Sequence, residues 1–483
     1  MAEPISKVVD EETPLLDKRK GGRTRTPLPK LQISIILILQ ICEPITSLSI
    51  LPYINQLINE LGITGGDEKK VGYYAGLIES LFFVTEAMTV LQWSRISDHV
   101  GRKPVLLVGL VGTFLSMLAF GLSKTFWGLV ISRCLTGLLN GNIGVMKSVM
   151  GELTDSTNRA EGFALMPVVW ATGATLGPLM GGALSHPHQR FPKLFGASFW
   201  REYPYFLPCA ATASFVLFSF FLALFLFKET APTRRGTRKR VVSDASEVTL
   251  VHSDRSANDG PLPLRDLLVY PVVLSVSNYV SLAFLNICVN ALLPLFFAMP
   301  IDIGGLGLLP PTIGVTMGIY GAGCGIFQGL FFAQIVRHFG ARNVFIFGMS
   351  SFIPVFLLFP IISTVAKQNG LCLLVWVLTA ALLALMALMD MAYGCIFMYI
   401  TASAPNKQSL GATNGLSQTT VSVARAIGPA LSTSLFSWSV QKNILGGYGV
   451  YAILLVFAFL SLGLATRLPI EIWAEENETE HDY

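Results

Sequence analysis

Twelve long apolar stretches constrain this 483-residue chain more than any other feature of its sequence. A helix needs about 20 mostly apolar residues to cross a bilayer. Because the runs are continuous rather than alternating, they favour helices over a β-barrel. We therefore expect an all-α membrane protein with twelve transmembrane helices. The spans cover residues 31–54, 72–93, 104–122, 126–149, 162–184, 205–227, 270–299, 312–335, 342–362, 371–400, 408–440 and 446–467.

Composition supports a bilayer environment and excludes several classes of protein. Hydrophobic residues make up 52% of the chain and charged residues only 13%, about half of the roughly 25% that is usual in soluble domains. A soluble fold of this size needs more charge to cover its surface. The sequence therefore excludes a soluble enzyme, a disordered protein and a nucleic-acid binder, and it makes the lipid bilayer the expected partner.

No motif for catalysis or for a cofactor stands out. The seven cysteines lie in or beside apolar stretches without a CxxC pair, so we predict neither a disulfide framework nor a zinc site, and no other metal. P-loop, HExxH and plausible GxSxG signatures are missing from the sequence. We expect no catalytic residues and no cofactor, and an ion gradient rather than ATP as the energy source.

Charge distribution predicts the topology. Outside the spans, Lys and Arg favour the side of the two termini by roughly three to one, which indicates that both termini are cytosolic. One loop, residues 185–204, goes against the trend because it carries Arg190, Lys193 and Arg201. The first 30 residues are polar and do not form a cleavable signal peptide.

The chain divides into two halves that echo each other. We predict a tail at 1–30, six-helix bundles at 31–227 and 270–467, a basic, Ser-rich linker at 228–269, and a tail at 468–483. The segment 98–105 shares its His, Gly, basic residue and Val with 337–344, 239 positions later, and Gly-Pro at 177 recurs at 428. Duplicated six-helix bundles are a transporter design with the substrate site near mid-bilayer.

Seven ionisable side chains fall within the predicted spans, where charge is costly and is functional by default. Glu79 and Arg133 have similar depths and are able to pair, whereas Glu43 and Glu86 lie near the midplane. A buried carboxyl that binds and releases a proton is what proton coupling needs, but a fixed Glu–Arg clamp is a structural alternative. Lys147 either joins this set or extends to the cytosolic edge. The seven are Glu43, Glu79, Glu86, Arg133, Lys147, Asp390 and Arg425.

Amide side chains form a second polar set in the C-terminal half. Either they line a substrate cavity or they cross-link helices. The candidates are Asn286, Asn290, Gln328 and Gln418.

Three motifs resemble those of the major facilitator superfamily, over nearly the whole membrane region. The first is the loop at 94–103, which reads SRISDHVGRK, with Ser94 and His99 departing from the usual pattern. The second is Arg133 with Gly137 in span four. The third, at 173–182, reads GATLGPLMGG and is similar to the G-x-x-x-G-P-x-x-G-G motif of the superfamily's antiporters.

The resemblance implies roles for the motif residues. Asp98, Gly101, Arg102 and Lys103 would form a cytosolic gate. The antiporter motif residues are Gly173, Gly177, Pro178 and Gly181. We expect that helix to rock against the Gly428-Pro429 region of span eleven, although tight packing alone also explains the glycines.

A closer resemblance joins the chain to one branch of the twelve-span drug:H⁺ antiporters. The segments CEPI at 42–45, LPYI at 51–54, WSRISD at 93–98, LNGN at 139–142 and GELTD at 151–155 look like the fungal and plant branch that includes the zinc-induced-facilitator-like proteins.

These features predict a secondary active transporter that works by alternating access. We expect it to export a drug or secondary metabolite in exchange for protons, as a monomer. A uniporter, an H⁺ symporter for a nutrient or metal chelator, and a vacuolar sequestration carrier stay open. Glu11, Leu15 and Leu16 fit an acidic dileucine sorting signal, so the location is the plasma membrane or the vacuolar membrane.

Overall fold

We describe the protein from a computed structural model that covers residues 27–154, 158, 165–230, 265–405 and 410–470. Glu11, Leu15 and Leu16, and with them the predicted sorting signal, lie outside the described residues. Within the described ranges the regular structure is helical throughout.

The described residues of the N-terminal half form ten helices, of which the short ones lie in the connections between spans. They are α1 (Lys30–Ser49), α2 (Ile54–Glu60), α3 (Val71–Val100), α4 (Arg102–Gly121), α5 (Phe126–Leu139), α6 (Asn142–Leu153), α7 (Met166–Leu184), α8 (Pro187–Arg190), α9 (Ser198–Glu202) and α10 (Phe206–Leu226).

In the C-terminal half, the part that the structure describes forms seven helices. They are α11 (Tyr270–Ala298), α12 (Pro310–Phe339), α13 (Ala341–Ser350), α14 (Phe352–Asn369), α15 (Leu373–Ala402), α16 (Leu410–Gln441) and α17 (Gly449–Ala465). Single 3₁₀ turns lie at Glu68–Lys70, Ile301–Ile303 and Ile444–Gly447.

Helix lengths agree with the predicted all-α membrane architecture. In the described part, nine helical stretches are long and apolar enough to cross a membrane, and 168–184 and 449–465 are shorter apolar helices. The remaining predicted span, the eleventh, is the 32-residue helix α16. Its many small and hydroxylated residues make it less apolar than its neighbours.

Span four is confirmed as one stretch over Phe126–Leu153 that is long and apolar enough to cross a membrane, and Asn140 leaves the helical conformation (φ −80°, ψ 55°) between its two parts, α5 and α6. One sequence expectation about local structure was wrong. The segment 94–103 is not a loop, because α3 continues through Val100 and α4 begins at Arg102. Gly101 alone joins them, with φ 112°, a conformation that favours glycine.

The long helices alternate in direction, so the bundle has two ends. We call the end with residues 100–102, 154, 227–230, 339–341 and 466–470 the tail end, and the opposite end the far end. At the far end the halves touch along two seams. In one, the Ala430 backbone N–H donates to Ser80 Oγ at 2.9 Å, joining α16 to α3. In the other, a Cβ at Gly182 of α7 would lie 3.0 Å from the Gly314 Cα of α12.

Toward the tail end, the same helix faces become exposed. Thr419 lies five turns before Ser437, and Phe339 lies five turns after Gly321, so each shares a face with a residue of a seam. Both Thr419 and Phe339 are exposed, whereas Ser437 and Gly321 are buried. The halves therefore close at the far end and part toward the tail end, which leaves a cleft between them.

Candidate functional site

The break in span four positions a polar side chain inside the N-terminal half. A Cβ at Gly141 would lie 2.2 Å from the Trp93 ring, so glycine lets that indole lie directly on the backbone. Trp93 Nε1 donates to the Leu138 carbonyl at 2.7 Å, which gives this carbonyl a partner beside the break. Asn140 Nδ2 donates to Glu86 Oε1 at 2.9 Å. The interruption thus serves to aim an amide at a carboxylate of α3.

Glu86 belongs to a charged cluster at mid-depth. Glu43 of α1 also interacts with Asn140, and the two carboxylates interact electrostatically with each other. Two cations, Lys147 of α6 and Arg425 of α16, act on both carboxylates. Since Arg425 comes from the C-terminal half, this cluster spans the cleft. The side chain of Lys147 is exposed, which is consistent with a position on the cleft wall.

Glu79 and Arg133 form a looser association than a clamp. Electrostatic attraction links the two groups, yet no Glu79–Arg133 ion pair within 4.0 Å occurs among the described residues. The Arg133 guanidinium lies over the Phe82 ring, 4.7 Å from its centroid. Its Nε and Nη1 atoms are buried without a hydrogen-bond partner in the described part of the chain. Such a cation is expected to attract a mobile anionic or polar group.

Asp390 lies in a different environment in the C-terminal half. Its Oδ1 accepts from Asn286 Nδ2 at 3.0 Å, and its Oδ2 accepts from Tyr320 OH at 2.7 Å and from Cys324 Sγ at 3.4 Å. Asn290 donates to Asn286 Oδ1 at 3.0 Å. The donors come from α11 and α12, so three helices converge on one carboxylate.

The remaining predicted amides contribute at the edge of this network. Gln328 Nε2 donates to Cys324 Sγ at 3.2 Å, and Gln418 Nε2 donates to Tyr279 OH at 3.4 Å. Tyr279 packs edge-on against Tyr393, and Tyr393 interacts with Arg425. The structure thus brings Asn286, Asn290 and Gln328 together with Asp390, and it places Gln418 beside the aromatic groups near Arg425.

At the tail end the gate-motif residues form an ionic corner. The buried Arg102 guanidinium binds Glu152 through Nη2 at 2.9 Å and Nε at 3.1 Å. Glu229 accepts from the backbone N–H groups of Arg102 at 2.8 Å and Lys103 at 3.0 Å, where an anion is favoured by the N-terminus of α4. Lys103 Nζ donates to the Phe227 carbonyl at 2.8 Å. The side chain of Asp98 lies outside the described part of the chain.

The predicted partner of the antiporter motif was wrong. The glycines of α7 face α1 and not α16, because Cβ atoms at Gly173, Gly177 and Gly181 would approach Pro44, Ile45 and Ser49 within 3.0 Å. Gly428 instead packs against Ile287 of α11. The motif therefore makes a tight contact within the N-terminal half, while the next glycine, Gly182, forms the seam to α12.

Several residues of the site were missed by sequence reasoning. Asn140, Tyr320 and Cys324 contact the intramembrane carboxylates, and Glu152 and Glu229 hold the tail-end corner. Only Asn140 carried a readable signal, since Asn-Gly within an apolar run marks a break. Tyr and Cys in a span are indistinguishable from packing residues by sequence.

The sequence profile of the Major Facilitator Superfamily matches residues 36–429. The chain belongs to this superfamily. It is a transporter and not an enzyme, and its fold is that of the superfamily, with two six-helix bundles.

Known relatives agree with this assignment. The chain is 32% identical over 470 residues to the major facilitator-type transporter psiT2 of Psilocybe cyanescens, covering 90% of this chain and 89% of the relative. It is 28% identical to the multidrug transporter mfsB of Aspergillus fumigatus, covering 94% and 85%. The protein ZINC INDUCED FACILITATOR-LIKE 1 of Arabidopsis thaliana is 28% identical, covering 92% and 91%, so the resemblance to that branch is confirmed.

Solved structures confirm the fold. A D-xylose-proton symporter superposes with a TM-score of 0.66 and 16% identity, covering 91% of this chain and 98% of that chain. At this identity the similarity establishes the fold alone.

Proposed function

We propose that this protein exports a small organic molecule from the cytosol in exchange for protons, by alternating access. The supporting observation is the cluster in which Glu43 and Glu86 share Asn140, lie near Lys147 of their own half and face Arg425 across the cleft. Names of relatives point the same way, since mfsB is a multidrug transporter and azaK of Aspergillus niger an efflux pump.

The cluster gives a physical means of coupling. Two carboxylates of the N-terminal half attract one cation of the C-terminal half, so their ionisation favours the arrangement in which the halves are held together at mid-depth. Protonation of Glu43 or Glu86 removes part of that attraction and frees Arg425 to move with its own half. A buried charge in a span carries a large free-energy cost. Binding of one proton is therefore enough to shift the equilibrium between the conformation open at the tail end and the one open at the far end.

The direction of opening fits export. With both termini in the cytosol, as the Lys and Arg distribution indicates, the cleft that parts at the tail end faces the cytosol. Substrate then enters from that side, and protons bind after the far end opens. We place the protein in the plasma membrane or the vacuolar membrane as a monomer. Its partners are protons, the bilayer and a small-molecule substrate.

The test is proton-driven flux in proteoliposomes, measured with fluorescent efflux dyes of cationic, neutral and anionic charge. We expect Glu43→Gln, Glu86→Gln and the double variant to lose uptake driven by a pH gradient while retaining substrate exchange at equal pH. Glu202→Gln, which removes an exposed far-end carboxylate paired with Lys124, is the matched control. Undiminished gradient-driven flux in the double variant would refute the proposal.

A further inference from the structure

The intramembrane charges do not balance, and one carboxylate is left over. Arg133 lies beside Glu79, and Lys147 and Arg425 act on Glu43 and Glu86. Asp390 is the fourth acid of the predicted spans. In the described part of the chain its hydrogen-bond partners are Tyr320, Cys324 and Asn286, and it forms no ion pair with Lys, Arg or His within 4.0 Å.

The hydrogen bonds around Asp390 direct donor groups toward its oxygen atoms. Asn290 Nδ2 donates to Asn286 Oδ1, so the Asn286 amide presents its NH₂ group to Asp390. Gln328 donates to the Cys324 sulfur, which leaves the thiol proton for Asp390. Each partner is able to donate toward the carboxylate oxygens. Neutral donors stabilise the negative charge without cancelling it.

Asp390 faces the cleft and is accessible from it. Tyr393 is one turn further along α15, and it interacts with Arg425, which acts on the carboxylates of the opposite half. This face of α15 therefore lines the cleft. The side chains of Asp390, Asn286 and Gln328 are each partly exposed, so a ligand in the cleft is able to reach the carboxylate.

We propose that Asp390 binds the ammonium group of an organic cation, which makes such cations the substrate class of the exporter. The phenol rings of Tyr320 and Tyr393 lie beside the carboxylate, and aromatic faces attract ammonium groups. A metal ion fits less well, because the neighbours present N–H, O–H and S–H donors rather than the oxygen ligands that hard cations take. No cluster of metal-binding side chains was found among the described residues.

This inference rests on the proposed function but is tested without a pH gradient, so that the two can fail separately. The experiment is equilibrium binding to the purified full-length protein. The probes are 4-phenylbutyltrimethylammonium, a permanent cation, and 4-phenylbutanol, a neutral compound of similar shape. We expect the wild-type protein to prefer the cation. We expect Asp390→Asn to weaken cation binding at least about thirtyfold, as for a lost buried charge contact, and to leave alcohol binding unchanged.

The control is Asp302→Asn, which removes an exposed carboxylate in the far-end 3₁₀ turn of the same half and should alter neither probe. Asn290→Ala should reduce the preference for the cation, because it frees the Asn286 amide to turn.

Equal binding of both probes by the wild-type protein, or unchanged cation binding by Asp390→Asn, overturns the proposal. An equal loss of both probes in Asp390→Asn also overturns it, since it indicates a structural role. If cation binding depends on Asp390 but no gradient-driven flux is measured, the result contradicts the proposed proton-driven export and supports the cation site.

Discussion

Each half of the protein has a glycine turn at the tail end, and the basic residue two positions later binds the end of that half's last helix. Lys103 follows Gly101 and donates to the Phe227 carbonyl. Arg342 follows Gly340 and donates to the carbonyls of Thr466 and Leu468, both at 2.6 Å. Among the described residues, the N-terminal half adds an ionic layer, in which Arg102 binds Glu152, and no ion pair joins the tail-end corner of the C-terminal half.

The same asymmetry holds inside the membrane. The N-terminal half contains three acids and two bases in its spans, and the C-terminal half contains Asp390 among neutral donors together with Arg425, which faces the other half. The two halves therefore share a backbone fold but differ in the ionisable side chains within their spans. Three of the four intramembrane carboxylates are in the N-terminal half, while the C-terminal half supplies Arg425 toward them and surrounds Asp390 with neutral donors.

Substitution at a seam between the halves is predicted to have the largest effect on the conformational equilibrium. A Cβ at Gly182 would lie 2.4 Å from the Pro310 carbonyl oxygen, so Gly182→Leu should force the far end apart. Overpacking costs about 1–3 kcal/mol, which corresponds to roughly a fivefold to hundredfold shift in the population of two states. The measurement is alkylation of a Ser80→Cys variant, whose reporter is buried in the other seam, and we expect faster labelling.

Gly323→Leu is the matched control for this prediction. Gly323 lies on α12, the helix that Gly182 of α7 contacts, and a Cβ at Gly323 would meet no atom within 4 Å. This control should leave both labelling and transport unchanged. Equal labelling rates in the two leucine variants would mean that the α7–α12 seam does not hold the far end closed.

The tail-end corners should differ in their contribution to stability. Arg102→Ala leaves the partly buried Glu152 without its cation, a loss of about 3 kcal/mol. Arg342→Ala leaves two carbonyls without a donor, a loss of about 1–2 kcal/mol. Thermal unfolding of the two variants in the same detergent measures the difference. A larger destabilisation by Arg342→Ala would contradict the view that the ionic layer is the stronger corner.

Much of the fold could be predicted from the sequence, because burial in lipid requires long apolar helices. Duplication was also visible in the repeated Gly turns. The expected contact between α7 and α16 failed for a geometric reason. These helices occupy equivalent positions in the two halves, and the halves meet by pairing α7 with α12 and α3 with α16. Similar motifs mark symmetry-related positions rather than contacts.

The candidate site was only partly predictable. Acids and bases in the spans are rare enough to be noticed one by one. Their partners are not, because Asp390 and Asn286 are 104 positions apart and the contact depends on how the helices are rotated. The role of Arg425 depends on the position of one half against the other, which no local pattern specifies.

The far-end corners of the two halves provide the smallest effect and a test by pH. Glu60 accepts from His186 at 3.1 Å, Tyr205 at 2.8 Å and Gln56 at 2.8 Å. Burial would raise the pKa of Glu60, but these hydrogen bonds outweigh it and hold the pKa below the usual range for a glutamate. A far-end contact at the last helix of the C-terminal half joins Ser363 to Tyr448 at 3.0 Å through two hydroxyl groups.

A lowered pKa stabilises the folded state above the pKa of the unfolded chain, and this contribution is lost as pH falls through the folded pKa. We therefore expect Glu60→Gln to lower the free energy of unfolding at pH 7 by less than about 1 kcal/mol, because the 39% exposed carboxylate is screened by solvent. The unfolding temperature measures this loss. The difference from wild type should shrink below about pH 4. The unfolding temperature of Tyr448→Phe should differ from that of the wild-type protein by an amount that stays constant over the same pH range. A pH-independent effect of Glu60→Gln would mean that its contacts act through shape and neutral hydrogen bonding, as in the other half, and that the two corners are alike.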